Sequence, residues 1–205
     1  MSFSWIELVG YLASALVVAS LAMTSVVRLR TVSLIGSLVF VAYGALLPSI
    51  PIIITNAAVA GLNIWFLRKE FGANRDLGAV PIESQAPFLL DFLSSHAADI
   101  ATFHPSFRAP DAGDFALVLT RDGLPAGALV GHPDGEVLQL RLDYVMSAYR
   151  DSRIGQWLYG DGAKALTDAG FTQVVAQPES AALRAYLLRV GFEEADGGLV
   201  RELRP

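Results

Sequence analysis

The chain has 205 residues, no cysteine and a formal net charge of −5. The absence of cysteine excludes disulfides and thiolate zinc sites, and the mild acidity argues against nucleic acid as the main partner. The length allows one domain of ordinary size plus a further part. Hydrophobic residues make up 53% of the chain, and their excess lies almost entirely before Arg68. Lysine occurs only at Lys69 and Lys164 while arginine is common, a bias that suggests a GC-rich bacterial genome.

The first 67 residues hold three apolar runs. Trp5 to Val27 carries only Glu7 as a charge, and at 1.5 Å per residue it is long enough for a hydrocarbon core of about 30 Å. It lacks the basic start of a cleavable signal peptide. Thr31 to Leu47 and Pro51 to Leu67 follow, near the lower length limit for spanning. The expectation is an all-α transmembrane three-helix bundle over residues 1–69. Arg28 and Arg30 share one side with Arg68, Lys69 and Arg75, whereas the other side shows Glu7 and the uncharged turn at residues 48–51. The positive-inside rule then predicts a multi-pass protein of the bacterial cytoplasmic (inner) membrane. Its N-terminus lies outside and everything after Leu67 is cytoplasmic. Asn56 and Asn63 are seven residues apart and share a helix face. An amide facing lipid is costly, so that face either bonds between helices or lines a ligand pocket. Small residues such as Gly36, Gly44, Ala57 and Gly61 permit close helix packing, and three helices leave faces for a homodimer to cover.

The stretch from Phe40 to Asn56, an aromatic-x-x-Tyr-Gly segment leading through a turn to Pro-Ile-Ile-Ile-Thr-Asn, resembles the second and third helices of SemiSWEET-type bundles, which are small dimeric bacterial sugar transporters. The resemblance spans about residues 5–68. It implies that Phe40 and Asn56 match the tryptophan and asparagine of that family's substrate pocket. The family's Pro-Gln dipeptide is replaced by Met23-Thr24-Ser25.

Residues 70–77 are polar and read as a linker. From residue 78 onward the periodicities predict an α/β domain with a mixed central sheet. Gly78–Glu83 reads as a strand, and Pro87–Thr102 as one or two helices ending near His104-Pro105. Strands follow at Asp114–Thr120, Ala126–Val130 and Glu136–Met146, the last two joined by a turn at Pro133-Asp134-Gly135. A helix over Arg153–Asp168 ends at Ala169-Gly170, a strand covers Thr172–Ala176, and a helix runs from Ser180 to Val190 with Gly191 as its cap. Phe192–Leu203 reads as a last strand broken by Gly197-Gly198.

The strand-turn-helix stretch from Leu140 to Leu158 carries the most chemistry. Unpaired N–H groups at a helix start favour an anion, Arg150 and Arg153 add full positive charge, and Gly155 permits close approach to the backbone. Arg150-Asp151-Ser152-Arg153-Ile154-Gly155 resembles the Arg/Gln-x-x-Gly-x-Gly/Ala signature of the GNAT acetyltransferase superfamily, with Arg153 at the first glycine. The run Tyr186-Leu-Leu-Arg-Val-Gly191-Phe192 resembles that family's last helix, and the likeness covers about residues 78–204. It implies acetyl-CoA or another acyl-CoA as co-substrate and an amine acceptor. No metal is called for; His104 and His132 sit singly beside prolines and read as surface residues. By the same resemblance the pyrophosphate is held by residues 151–156 (Asp151, Ser152, Arg153, Ile154, Gly155 and Gln156) together with Arg150. The strand ending at Val145-Met146 offers an N–H to the thioester carbonyl, and Tyr186 is the candidate proton donor. Tyr186 lies one position early when aligned on Gly191-Phe192, and a packing role is open for it. Asp143, two residues before Val145, is a candidate base or an edge residue facing solvent.

Two main functions follow from these readings. One is a membrane-anchored N-acetyltransferase acting at the cytoplasmic face. The other is a non-catalytic acyl-CoA-binding sensor or regulatory domain attached to a solute-binding bundle. A transporter with a regulatory tail is a third.

Overall fold

The computed structural model describes residues 5–72, 76–150, 152–195 and 197–203, the side chain of Ile6 excepted. They fall into two compact units, the N-terminal helices with the loop around 148–152 and the remainder from residue 75 on.

The helical unit consists of α1 (Trp5–Leu21), α2 (Val26–Leu46) and α3 (Ile50–Phe71). Helix α1 stops six residues before Val27. Ser25 takes the N-cap of α2, its hydroxyl accepting from the Arg28 amide, so Arg28 and Arg30 belong to the first turns of α2 instead of closing the first run. At 21 and 22 residues, α2 and α3 are long and apolar enough to cross a membrane by length and composition; α1, at 17, is about 25 Å long and falls in the shorter class. Pro51 is tolerated in the first turn of α3, where its missing N–H would have no helical partner.

The second unit is a seven-stranded mixed sheet in the order β1-β2-β3-β4-β5-β7-β6. Its strands are β1 (Leu77–Glu83), β2 (Phe115–Arg121), β3 (Leu124–Asp134), β4 (Val137–Val145), β5 (Gln173–Ala176), β6 (Glu193–Ala195) and β7 (Gly198–Glu202). Neighbours run antiparallel except β4 and β5, which are parallel. Alternation sorts the sheet's two faces. Ala116, Val118, Ala128, Val130, Leu142 and Tyr144 point to one of them and pack on Leu89, Phe92, Leu93 and Ile100 of α4 (Pro87–Ser95) and α5 (Ala97–Phe103). Asp143, between Leu142 and Tyr144, points to the opposite face. Three more helices complete the unit: α6 (Ile154–Leu158), α7 (Lys164–Thr167) and α8 (Ala181–Arg189).

The sheet is tightest at Gly127, where an added Cβ would run into the Tyr144 carbonyl of the neighbouring strand. That atom is backbone and cannot turn aside, so Gly127→Ala is expected to destabilise this unit by about 2 kcal/mol, seen as a lower melting temperature of the full chain in detergent.

Three expectations need correction. The helix over Arg153–Asp168 is two short ones, because Gly160 and Gly162 favour a turn: both their amides bond back to the Trp157 carbonyl, at 3.0 and 2.7 Å. Strand β3 continues through Pro133 to Asp134, so the hairpin turn is made by Gly135 and Glu136. The final segment is not one broken strand but the hairpin β6–β7, and β7, not β6, lies beside β5.

Candidate active site at the splayed strands

Strands β4 and β5 pair only from Val137–Leu140 against Gln173–Ala176. Two local causes part them. The β3–β4 register shifts between Val130 and Gly131, leaving Arg141 as an extra residue on β4, and such a bulge bends the strand. On the other side β5 ends at Ala176, before Gln177-Pro178, where proline has no N–H for a ladder. From Arg141 to Val145, therefore, β4 pairs with β3 but not with β5 and presents its other edge to a gap.

Asp143 sits in this gap. It is only 7% exposed, so it is not an edge residue facing solvent. Its Oδ2 accepts two hydrogen bonds, from the Tyr159 hydroxyl at 2.8 Å and the Tyr186 hydroxyl at 3.0 Å, while Oδ1 is buried with no hydrogen-bond partner. Burial raises the Asp143 carboxyl above its ordinary value, against the lowering effect of the two phenols and of His104. Both phenols are pushed well above their ordinary value, by burial first and then by the Asp143 charge. Tyr159 is fixed at the end of α6. Its carbonyl accepts from Arg201 Nη2 on β7, and its ring meets Phe192 edge-on at 4.9 Å. Tyr186 comes from α8, whose N-cap Ser180 accepts from the Leu183 amide.

His104 is buried, contrary to the surface expectation. It follows α5, and its Nε2 lies 3.2 Å from the Asp143 carbonyl oxygen and 3.5 Å from the Asp143 amide nitrogen. The imidazole thus occupies the hydrogen-bonding positions on the open edge of β4. Burial lowers its pKa, partly offset by the Asp143 carbonyl and by the charges of Asp143 and Glu179. Neither His104 nor Tyr159 stood out in the sequence. His104 meets Asp143 across 39 positions, and the histidine–proline step conceals that contact. His132, in contrast, is exposed and pairs with the Asp114 carboxylate. Among the described residues no group of three potential metal ligands occurs.

Strand alternation decides which amides face the gap. The Met146 N–H donates to the Ala126 carbonyl within the sheet, at 2.9 Å, so Met146 is spent there. Val145 and Asp143, at the alternate positions, direct their N–H groups away from β3.

The predicted anion-binding turn is placed less favourably. Asp151 lies outside the described residues. The amide and hydroxyl of Ser152 both donate to the Tyr149 carbonyl and so close their own turn. The Ile154 side chain is buried, and Gln156 and Arg153 are exposed. Gly155 admits a side chain of this protein: an added Cβ would collide with the Tyr186 hydroxyl and stand 2.9 Å from its Cζ. Since α6 has only five residues, the anion argument rests on the guanidinium groups of Arg150 and Arg153 more than on a helix dipole.

Arg153 adopts φ 55° and ψ 2°, the left-handed conformation that glycine enters freely and other residues enter at a cost. The turn of a glycine is kept without the glycine. Arg153→Gly is therefore expected to stabilise the unit by about 0.5–1 kcal/mol, raising the melting temperature by roughly 1–4 °C.

In the helical unit Asn63 is 1% exposed, accepts from Arg30 Nη1 and donates to the Ser33 hydroxyl at 3.0 Å, a bond between α2 and α3. Asn56 donates to the Ile52 carbonyl of its own helix, and Phe40 stands edge-on to Tyr43. Each of the three residues of the expected membrane pocket thus has a partner within the unit, and among the described residues their polar bonds stay with Ile52, Ser33 and Arg30.

No family model matches this chain. Among solved structures it resembles a GNAT family N-acetyltransferase from Escherichia coli in complex with CoA, at 20% identity and TM-score 0.39, covering 63% of this chain and 83% of that one. It also resembles a GNAT family acetyltransferase from Elizabethkingia anophelis with acetyl-CoA bound (16% identity, TM-score 0.40, 62% and 98% covered). A third is an aminoglycoside acetyltransferase from an uncultured soil metagenomic sample in complex with sisomicin (15%, 0.43, 62% and 93%). An uncharacterised protein of Haemophilus influenzae is 38% identical over 73 residues, which are 34% of this chain and 95% of that protein. Over those 73 residues the chain belongs to one family with the Haemophilus influenzae protein.

Proposed function

We propose that the α/β unit is a GNAT-type acyltransferase that moves an acetyl or longer acyl group from acyl-CoA to an amine, tethered to the cytoplasmic face of a bacterial inner membrane by the three N-terminal helices. The observation that carries this reading is the parting of β4 from β5 with Asp143 on the β4 edge of the gap, its carboxylate accepting from Tyr186. A parallel pair that parts after four residues leaves an edge of β4 unpaired with β5, where the resemblance noted above puts the thioester carbonyl.

The residues present allow a balanced sequence of steps. An N–H on the open side of β4, at Val145 or Asp143, polarises the thioester carbonyl. The amine attacks it, forming the C–N bond, and the C–S bond then breaks. Asp143, whose carboxyl is raised above the ordinary carboxylate value by burial, accepts the proton lost by the amine. Tyr186 gives its proton to the departing thiolate and recovers one from Asp143 along the 3.0 Å hydrogen bond between them. Arg150 and Arg153 serve the pyrophosphate.

A second reading has a specific observation in its favour: the space at Gly155 is taken by the Tyr186 hydroxyl, which turns inward to Asp143. In that reading the unit binds acyl-CoA without turnover and acts as a sensor. Membrane orientation, a homodimer through the helices and solute binding near Phe40, Asn56 and Asn63 belong to the same proposal; the length and composition of α2 and α3 support the membrane anchoring.

Release of free thiol from acetyl-CoA, followed with the detergent-solubilised full chain and a panel of primary amines, tests the reading. Amine-dependent release is expected. Saturable CoA binding without release would replace the enzyme by the sensor.

A further inference from the structure

The segment from Phe103 to Ser106 is tied down at three points. The Phe103 carbonyl accepts from the Ser180 hydroxyl at 3.3 Å, and His104 Nε2 bonds to the backbone of Asp143. The amide and hydroxyl of Ser106 both donate to the Glu179 carboxylate, the amide at 2.9 Å. Those bonds hold Glu179 below its ordinary pKa. Glu179 and Ser180 lie three and four residues beyond the end of β5, whereas Asp143 lies on β4. Four consecutive residues therefore link the open edge of β4 at Asp143 to the chain just beyond the end of β5. The imidazole fills the place that a longer β5 would take.

We propose that His104 is a positioning residue: it pins this strap to the edge of β4 and so fixes the width of the gap beside Asp143, into which the acyl thioester passes. The inference rests on the proposed function for the identity of the ligand but not for the strap itself. The shorter of the two His104 contacts, to the carbonyl oxygen, makes Nε2 the N–H donor, and a protonated Nε2 does not accept from the Asp143 amide 3.5 Å away.

The test compares His104→Ala, His104→Gln and the parent in the full, detergent-solubilised chain. Glutamine places a carboxamide N–H close to Nε2 and can donate to the same carbonyl. Amide hydrogen exchange of the peptide covering residues 141–146 is expected to speed up by about tenfold in His104→Ala, the effect of losing one net hydrogen bond, and to return to within about twofold of the parent in His104→Gln. In the transfer assay, KM for acetyl-CoA is expected to rise by about tenfold in the alanine variant with a smaller change in kcat, and the glutamine variant restores it. Ser106→Ala, cut at the other end of the strap, provides a variant that leaves the buried site intact and is expected to speed the same peptide's exchange. Unchanged exchange in both His104→Ala and Ser106→Ala would overturn the inference, as would a folded glutamine variant that behaves like alanine. A parent with no turnover but the expected exchange pattern would remove the acyltransferase and keep the strap.

Discussion

Asp143→Asn is expected to lower acetyl transfer by about 10²–10³-fold while the melting temperature stays at or above that of the parent. The carboxamide oxygen can still accept from Tyr159 and Tyr186, but it cannot take a proton from the amine. The sign of the stability change follows from the raised pKa. A carboxyl whose folded pKa lies above its unfolded value adds stability that is complete below the ordinary carboxylate value and is lost as pH rises through the raised one. Asparagine has no such loss, so its advantage over the parent should grow from acid toward neutral pH. His104 works the other way. Its lowered folded pKa means stability that is present above the ordinary imidazole value and lost as pH falls through the folded one. Thermal scans of both proteins across that range, with thiol release at neutral pH, check the prediction. A stabilised variant with full activity would remove Asp143 from the chemistry.

Gly155→Ala should be the most damaging single methyl group in the site. The added Cβ meets the Tyr186 hydroxyl and has the Cζ atom 2.9 Å away, so either Tyr186 leaves Asp143 or α6 shifts. Overpacking of this kind costs about 2 kcal/mol, or roughly 4–8 °C in melting temperature. Activity should fall with it, because a displaced Tyr186 loses its 3.0 Å bond to Asp143. Combining Gly155→Ala with Tyr186→Phe removes the colliding oxygen and is expected to recover part of the stability without recovering activity. This pairing separates space from chemistry: if the glycine serves only to admit a ligand, the double variant will be no more stable than Gly155→Ala.

What the sequence reveals of this protein follows the range of the interactions involved. The alternation of Gln139–Val145 marks a strand because Leu142 and Tyr144 pack on Leu89, Phe92 and Ile100 and burial imposes period two, whereas Phe115–Arg121 is legible as a short apolar run, buried on both faces at residues 116–119. Ser180 and Gly191 bracket α8 correctly, since caps act over three or four residues. Reading fails where a short-range signal has two outcomes. Gly160 and Gly162 lie inside an apparently helical pattern and turn the chain; Gly197-Gly198 looks like a broken strand and is a hairpin tip. The motif at Arg150–Gly155 shows a further limit. Its backbone keeps the left-handed turn at residue 153 although the side chain is arginine, whereas the glycine at 155 is needed for packing against Tyr186. Spacing alone cannot separate those roles.

The site itself was half legible. Asp143 and Tyr186 stand out by type and by distance from the motif, but the interaction that joins them spans 43 positions and needs the fold. Tyr159 and His104 carry no local signal. One is set by Arg201 on the last strand, the other by the bulge at Arg141 that opens β4. In the helical unit the seven-residue spacing of Asn56 and Asn63 predicts a shared face, yet one amide bonds within its own helix and the other across to Ser33.

Calorimetric titration of the detergent-solubilised full chain with acetyl-CoA asks whether the parted strands receive a coenzyme A thioester. Saturable heat with one site per α/β unit is expected, with affinity weakened by about tenfold when Arg150→Ala removes a phosphate partner. A titration that stays flat with acetyl-CoA, longer acyl-CoA and free CoA, on protein with a cooperative thermal transition, would contradict it.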